Sequence, residues 1–322
     1  MRICYFGDYD PEYNRTRVLA TGLEMTGVEV IHCNAPSDHP QKYRTLWKKL
    51  RALRDNYDLV MVPMSNGRFY TAMAQLISSR PVFWDPVFSL YDAWVYDRRL
   101  VNHFHPKALL YWLLDLLSAL CSDVIVLDND AHVAYWRKAF HISADKLTHV
   151  LIGADNKIFN PQPYPVVRDV FEVEFHGKYI PLQGTQVIVR AAKLLENDNV
   201  HFTMIGSGQE SRDTQAMAEE LGVSNVTFLP FIPQHEIPAY MAKAHACMGH
   251  SGDRPRVERS LPNKLYEAAA MGRVSINVNS AAIREVFTPG IDIVGTKAGD
   301  SENLARVIRE LKASGKAEAM GR

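Results

Sequence analysis

A lysine, a glutamate and a run of small residues stand close together in PNKLYEAAAMG, residues 262–272. The segment reads as a polar loop entering a helix, with Asn263 and Lys264 at its mouth and Glu267 in the first turn or so. Free N–H groups and the positive end of the helix dipole favour an anion such as phosphate. A carboxylate one turn further can accept hydrogen bonds from sugar hydroxyls. That pairing suits a nucleotide sugar. The same residues also read as an amphipathic core helix, with Leu265, Tyr266, Ala269 and Met271 inward and Glu267 capping its own helix start.

Other candidates sit at the ends of strand-like runs. Gly177 and Lys178 follow FEVEFH, Gly206 follows HFTMI, and Gly249, Ser251 and Gly252 follow the strand in HACMGHSG. A basic residue beside a glycine at such a turn is a phosphate contact in one reading and a solvated lysine in the other. Gly7 closes the first strand, where ligands approach parallel sheets, but its loop DYDPEYN lacks the glycines of a dinucleotide fingerprint. Within residues 85–105, Asp85, Asp92, Asp97, Arg98, His103 and His105 are candidates for acceptor contacts. No third ligand accompanies the two histidines, so no metal site is read.

The chain of 322 residues suits two domains, with 47% hydrophobic and 22% charged residues. Lys+Arg and Asp+Glu both total 36, which gives no overall field for nucleic acid. Cys4, Cys33, Cys121 and Cys247 lie far apart and read as buried residues of a reducing compartment, the cytoplasm. Apolar runs alternate with amphipathic segments throughout, which predicts two doubly wound α/β parallel sheets facing a cleft. The proline-dense FNPQP divides them into domains of residues 1–160 and 161–322. Residues 42–54, KYRTLWKKLRALR, predict a basic amphipathic helix, either solvated or lying on anionic lipid at the inner face of a membrane. ALLYWLLDLLSALC, residues 108–121, is interrupted by Asp115 and predicts a buried helix rather than a membrane span.

In order and spacing, FHGKYIPLQG, VHFTMIGSGQE, VTFLPFIPQHEIPAYMAKAHACMG, VLIGADNKIFNP and SLPNKLYEAAAMGRVSI resemble the GT-B retaining glycosyltransferases of family 4. The resemblance covers nearly the whole chain. It implies an N-terminal acceptor-binding and a C-terminal nucleotide-sugar-binding Rossmann-like domain. The implied reaction moves a sugar from a nucleoside diphosphate sugar to the hydroxyl of a glycan or lipid-linked acceptor, with no cofactor or metal required. Lys178, Lys264 and amides near Gly249, Gly252 and Leu265 would meet the diphosphate, Glu267 the ribose, and Phe231 and Ile232 the base. Asp85 is a candidate on the acceptor side.

Three departures stand out. Gln183 replaces a second basic residue before Gly184. Arg259 replaces an upstream glutamate, so either Glu258 fills that role or backbone amides do. The sequence ends at KAEAMGR, where relatives continue into a crossover segment, which the second domain would then lack. Two rivals are a non-catalytic nucleotide- or glycan-binding subunit and a nucleotide-sugar epimerase of the same architecture.

Overall fold

Short apolar runs fold as strands and the periodic segments between them as helices. The computed structural model describes residues 1–53, 56–65, 67–165 and 170–322. It divides into two units, Met1–Ile152 and Gly153–Arg322. This boundary precedes the expected one because Phe159, 1% exposed, packs with Ile205, Ile237 and Met241 of the second unit. The proline-dense segment is part of that unit rather than a free linker.

In the first unit, β1 (Arg2–Gly7), β2 (Glu29–Asn34), β3 (Leu59–Val62), β4 (Val82–Trp84), β5 (Val124–Leu127) and β6 (Leu147–His149) form a parallel sheet in the order β2-β1-β3-β4-β5-β6. Its helices are α1 (Asn14–Met25), α2 (Lys42–Leu53), α3 (Tyr70–Ile77), α4 (Pro106–Leu120) and α5 (Asp130–Phe140). Arg54 of the expected basic helix lies outside the described residues. Side chains alternate along β1. Ile3 and Tyr5 meet Ala20 and Leu23 of α1, whereas Cys4 and Phe6 join a core with Leu46, Leu50, Tyr70, Ala74, Trp136 and Phe140.

α4 is turned opposite to expectation. Ala108, Asp115, Ser118 and Ala119 are its buried residues, Trp112 and Leu116 pack against the core, and Leu109, Leu110, Leu113, Leu117 and Leu120 are exposed. Asp115 is not an interruption but the inward anchor. It accepts from Ser89 Oγ at 2.7 Å and from the Tyr91 N–H at 3.0 Å, and Arg68 lies 3.5 Å away.

The second unit runs β7 (Phe171–His176), α6 (Thr185–Leu194), β8 (Val200–Ile205), α7 (Ser211–Glu220), β9 (Val226–Leu229), α8 (Ile237–Met241), β10 (Ala246–Met248), α9 (Asn263–Ala270), β11 (Val274–Val278), α10 (Ala281–Arg284), β12 (Ile293–Thr296), α11 (Ser301–Ser314) and α12 (Ala317–Gly321). Its parallel sheet has the order β12-β11-β10-β7-β8-β9. The winding reverses between β7 and β10, and such a switch point opens a crevice at the carboxyl ends of those strands. Phe171, Val173 and Phe175 of β7 enter the main core with Val187, Ile188, Phe202, Leu304 and Ile308. The intervening Glu172, Glu174 and His176 therefore fall on the opposite face of the sheet.

Candidate functional site

The carboxyl end of β7 delivers His176, Gly177 and Lys178, the end of β10 delivers residues 249–252, and α9 brings Lys264 and Glu267 to the same place. Glu174 and Glu267 are 1% and 3% exposed, and His176 bridges them. Its Nδ1 lies 2.9 Å from Glu174 Oε1, and its Nε2 lies 2.8 Å from Glu267 Oε2. Burial alone would push this imidazole toward neutrality. The charge of Glu174, its hydrogen bond and the contact with Glu267 outweigh that and raise the pKa to about 9. His176 is therefore an imidazolium between two carboxylates. The other Glu267 oxygen accepts from Gln234 Nε2 at 3.0 Å.

Lys264 is 6% exposed. Its Nζ donates to Gln183 Oε1 at 2.7 Å and sits 4.0 Å from the centroid of the Phe175 ring. Burial lowers its pKa to about 8 against the pull of Glu174 and Glu267. Gly177, at φ +148°, makes room for it, since a Cβ there would stand 3.0 Å from Nζ. Beside it, Gly184 at φ +68° lies against the second loop, where a Cβ would meet the Gly252 nitrogen at 2.3 Å. At the floor, His250 Nδ1 and Ser251 Oγ are buried and have no hydrogen-bond partner among the described residues. Burial, with Lys264 and Arg256 nearby, holds His250 well below the usual imidazole range. A buried ammonium, two polar atoms and the start of a helix make a surface fit for an anion.

Residues 171–314 match the family model of glycosyl transferases group 1. That match lies wholly within the second unit, Gly153–Arg322. Over 150 residues the chain is 24% identical to the colanic acid biosynthesis glycosyl transferase WcaI of Escherichia coli K12, which covers 47% of this chain and 33% of that protein. The chain thus matches about a third of that curated relative's length. Among solved structures it resembles Anabaena HepE in complex with UDP and glucose (TM-score 0.70, 16% identity, 99% of this chain and 92% of that one). It also resembles a sucrose-phosphate synthase from Thermosynechococcus elongatus (TM-score 0.74, 13% identity, 100% and 92%). The fold class is the two-unit α/β architecture of GT-B glycosyltransferases.

Within the matched stretch, Gly177, Lys264 and Glu267 lie together, and Lys178 stands exposed beside them. Gly206 directly follows β8, its N–H bonded to Leu229 O at 3.0 Å. Several expected contacts have other employment. The N–H of Gly249 donates to Ile276 O at 2.7 Å, that of Ser251 to Gln183 O at 3.1 Å, and that of Leu265 to Pro262 O at 3.2 Å. The Leu265 side chain is core, packed with Leu261, Ile283 and Ile293. No hydrogen bond occupies the N–H groups of Gly252, Asn263 and Lys264 among the described residues. Glu258 is exposed and accepts from the Ala281 N–H at 3.1 Å, at the start of α10. Phe231 is 74% exposed, while Ile232 packs against the cluster around Phe159.

Gly7 and Asp85 belong to the first unit. Asp85 is 3% exposed, with both carboxylate oxygens 2.8 Å from Arg15 Nε, and Arg15 also donates to Leu127 O and Val150 O. That pair ties α1 to β4, β5 and the segment after β6. Asp85 is held as a core ion pair rather than presented to an acceptor. His105 caps α4 by accepting from the Lys107 N–H, and His103 Nδ1 lies 3.1 Å from Tyr91 Oη and 3.2 Å from Tyr96 Oη. The described residues contain no cluster fit for a metal ion.

Glu174, His176 and Gln234 were not singled out by sequence reasoning. The available signal was the alternation in FEVEFH, which puts three polar side chains on the one strand face that ends at the switch point.

Proposed function

We propose that the chain transfers a sugar from a nucleoside diphosphate sugar to an acceptor hydroxyl, with retention of anomeric configuration, as a family 4 enzyme without a metal. The observation that carries this reading is the meeting of buried Lys264 with the unpartnered His250 Nδ1 and Ser251 Oγ at the β7/β10 switch point. Departure of a diphosphate builds negative charge, and donors already fixed around it stabilise that charge without reorganisation. Lys264, exposed Lys178 and the N–H groups of Gly252, Asn263 and Lys264 take this role. Bound phosphate holds Lys264 charged, which reverses the effect of burial.

Glu267, fixed by His176 and Gln234, accepts from the ribose hydroxyls, and Phe231 with Ile232 borders the base. Backbone amides rather than Glu258 face the donor sugar. The HepE structures contain UDP, glucose and UDP-glucose, which makes UDP-sugars the first donors to assay. The acceptor is a cell-surface glycan or a lipid-linked one, met at the cytoplasmic face of the membrane, with the basic α2 turned toward it.

The test is calorimetric titration of UDP and UDP-glucose into the wild type, Lys264→Ala and Glu267→Ala, with melting curves to show that each variant is folded. Loss of a charge-assisted contact predicts a drop in affinity of roughly tenfold or more. Unchanged affinity in two folded variants would sink the assignment. Release of a free epimerised sugar without acceptor would replace transfer by epimerisation.

A further inference from the structure

Helices normally bury their large apolar residues, and α4 leaves five of its leucines exposed. Leu109, Leu110, Leu113, Leu117 and Leu120 are between 39% and 59% exposed, while the helix meets the core through Ala108, Trp112, Asp115, Leu116, Ser118 and Ala119. At about 100° per residue the exposed leucines fall within one side of the helix. Just before α4, Leu100 and Phe104 are 50% and 92% exposed. Trp94 contacts Tyr111 of α4, and Arg98 lies over the Trp94 ring.

The charge carried by the neighbouring helices is mostly positive, although exposed Asp123 and Asp145 stand near the C-terminal end of α4 and Lys42 is paired with Asp8. α3 packs against both α2 and α4. These three helices carry Lys42, Arg44, Lys48, Lys49, Arg51 and Lys107, and their single acid is the buried Asp115. Lys146 adds an ammonium at the C-terminal end of α4, where its Nζ donates to Ala119 O at 3.1 Å. The chain as a whole has zero formal net charge, so this concentration is local.

We propose that α4 is a lipid-docking helix that lies in the surface of a bilayer bearing anionic phospholipid. Its leucines, with Phe104 and Leu100, enter the headgroup–acyl boundary, and the lysines and arginines of α2 and α4 meet the headgroups. Fifteen residues span about 22 Å, less than the ~30 Å hydrocarbon core, and no described helix is long and apolar enough to cross a membrane. The helix therefore lies in the plane. Tyr and Trp beside it suit the same depth. A second copy of the chain is the poorer occupant, because it would set Arg44, Lys48, Lys49 and Arg51 of one basic helix against those of another.

The inference does not depend on sugar transfer, so lipid binding and nucleotide binding are read separately. The experiment is flotation of the whole chain with vesicles of phosphatidylcholine alone and of equal parts phosphatidylcholine and phosphatidylglycerol. The wild type is expected to float with the anionic vesicles, and less so in high salt. Leu113→Gln with Leu117→Gln should cut the bound fraction by roughly tenfold at unchanged melting temperature. Should that variant unfold, Lys48→Glu with Arg51→Glu, both far from the core, must lower binding to anionic vesicles instead. Absence of wild-type binding, or binding unaltered in folded variants, overturns the proposal. So does a dimer that the leucine substitutions dissociate while vesicles are ignored.

Discussion

Lys264 Nζ and Gln183 Oε1 are 2.7 Å apart, which joins α9 to the loop before α6. A neutral acceptor at 183 lets the buried ammonium be satisfied, whereas a basic side chain there would stand against it. Gln183→Leu removes the acceptor and keeps the bulk. It should destabilise the protein by about 1–3 kcal/mol, the usual cost of orphaning a buried donor, as measured by urea unfolding. A loss below about 0.5 kcal/mol would mean that Lys264 finds another partner.

Nucleotide binding should depend on pH through Lys264. In the free protein this lysine loses its proton near pH 8. An anion favours the charged form, so UDP binding at or above that pH should take up a proton, and affinity should fall as pH rises further. Calorimetry in two buffers of different ionisation enthalpy reads the uptake directly, and Lys264→Met should abolish it.

His176 and Lys264 pull stability in opposite directions. The His176 pKa is raised from 6.5 to about 9, so the folded state holds more protons between those values. Its contribution is full below pH 6.5 and is lost as pH rises through about 9. Lys264 is lowered from 10.5 to about 8, so its buried charge opposes folding below pH 8, and that cost is relieved between pH 8 and 10.5. Stability should therefore decline from pH 6.5, then flatten where the windows overlap. His176→Gln should remove the decline, and a wild-type curve flat from pH 6.5 to 8 would contradict the imidazolium assignment.

Gly184→Ala and Gly222→Ala form a matched pair. Both sites have left-handed φ, +68° and +60°, but a Cβ at 184 meets the Gly252 nitrogen at 2.3 Å while none within 4 Å meets one at 222. Strain alone should cost about 1 kcal/mol at 222. The added clash should cost more at 184 and weaken UDP binding there alone. Equal melting temperatures in the two variants would show that the two loops do not lean on each other.

The alternation of apolar runs made both parallel sheets legible, because strand and helix periods are written in the order of residue types. Lys264 and Glu267 were legible for a related reason, since loop, helix start and charge are neighbours in sequence. His176 was not, because a histidine in an alternating strand looks half-buried and ordinary until Glu267, distant in sequence, arrives beside it. The placement of Glu258 was hidden for the same kind of reason, since the turn aims it at the Ala281 amide. For α4, hydropathy gave the helix but not its facing. Only the packing of Asp115 against Ser89 and Tyr91 decides which side is inward.

Arg273, 2% exposed, donates to the carbonyls of Met241 and Ala242 at the end of α8, of Met271 and Gly272 after α9, and of Gln162 and Pro163. The guanidinium thus stitches residues 162–163 to the unit ahead of the point where the family match begins, at residue 171. A fragment cut at 171 would strip two of those acceptors and Phe159, whereas one cut at Gly153 keeps the whole clasp. The compact second unit thus begins well before the stretch that the family model matches.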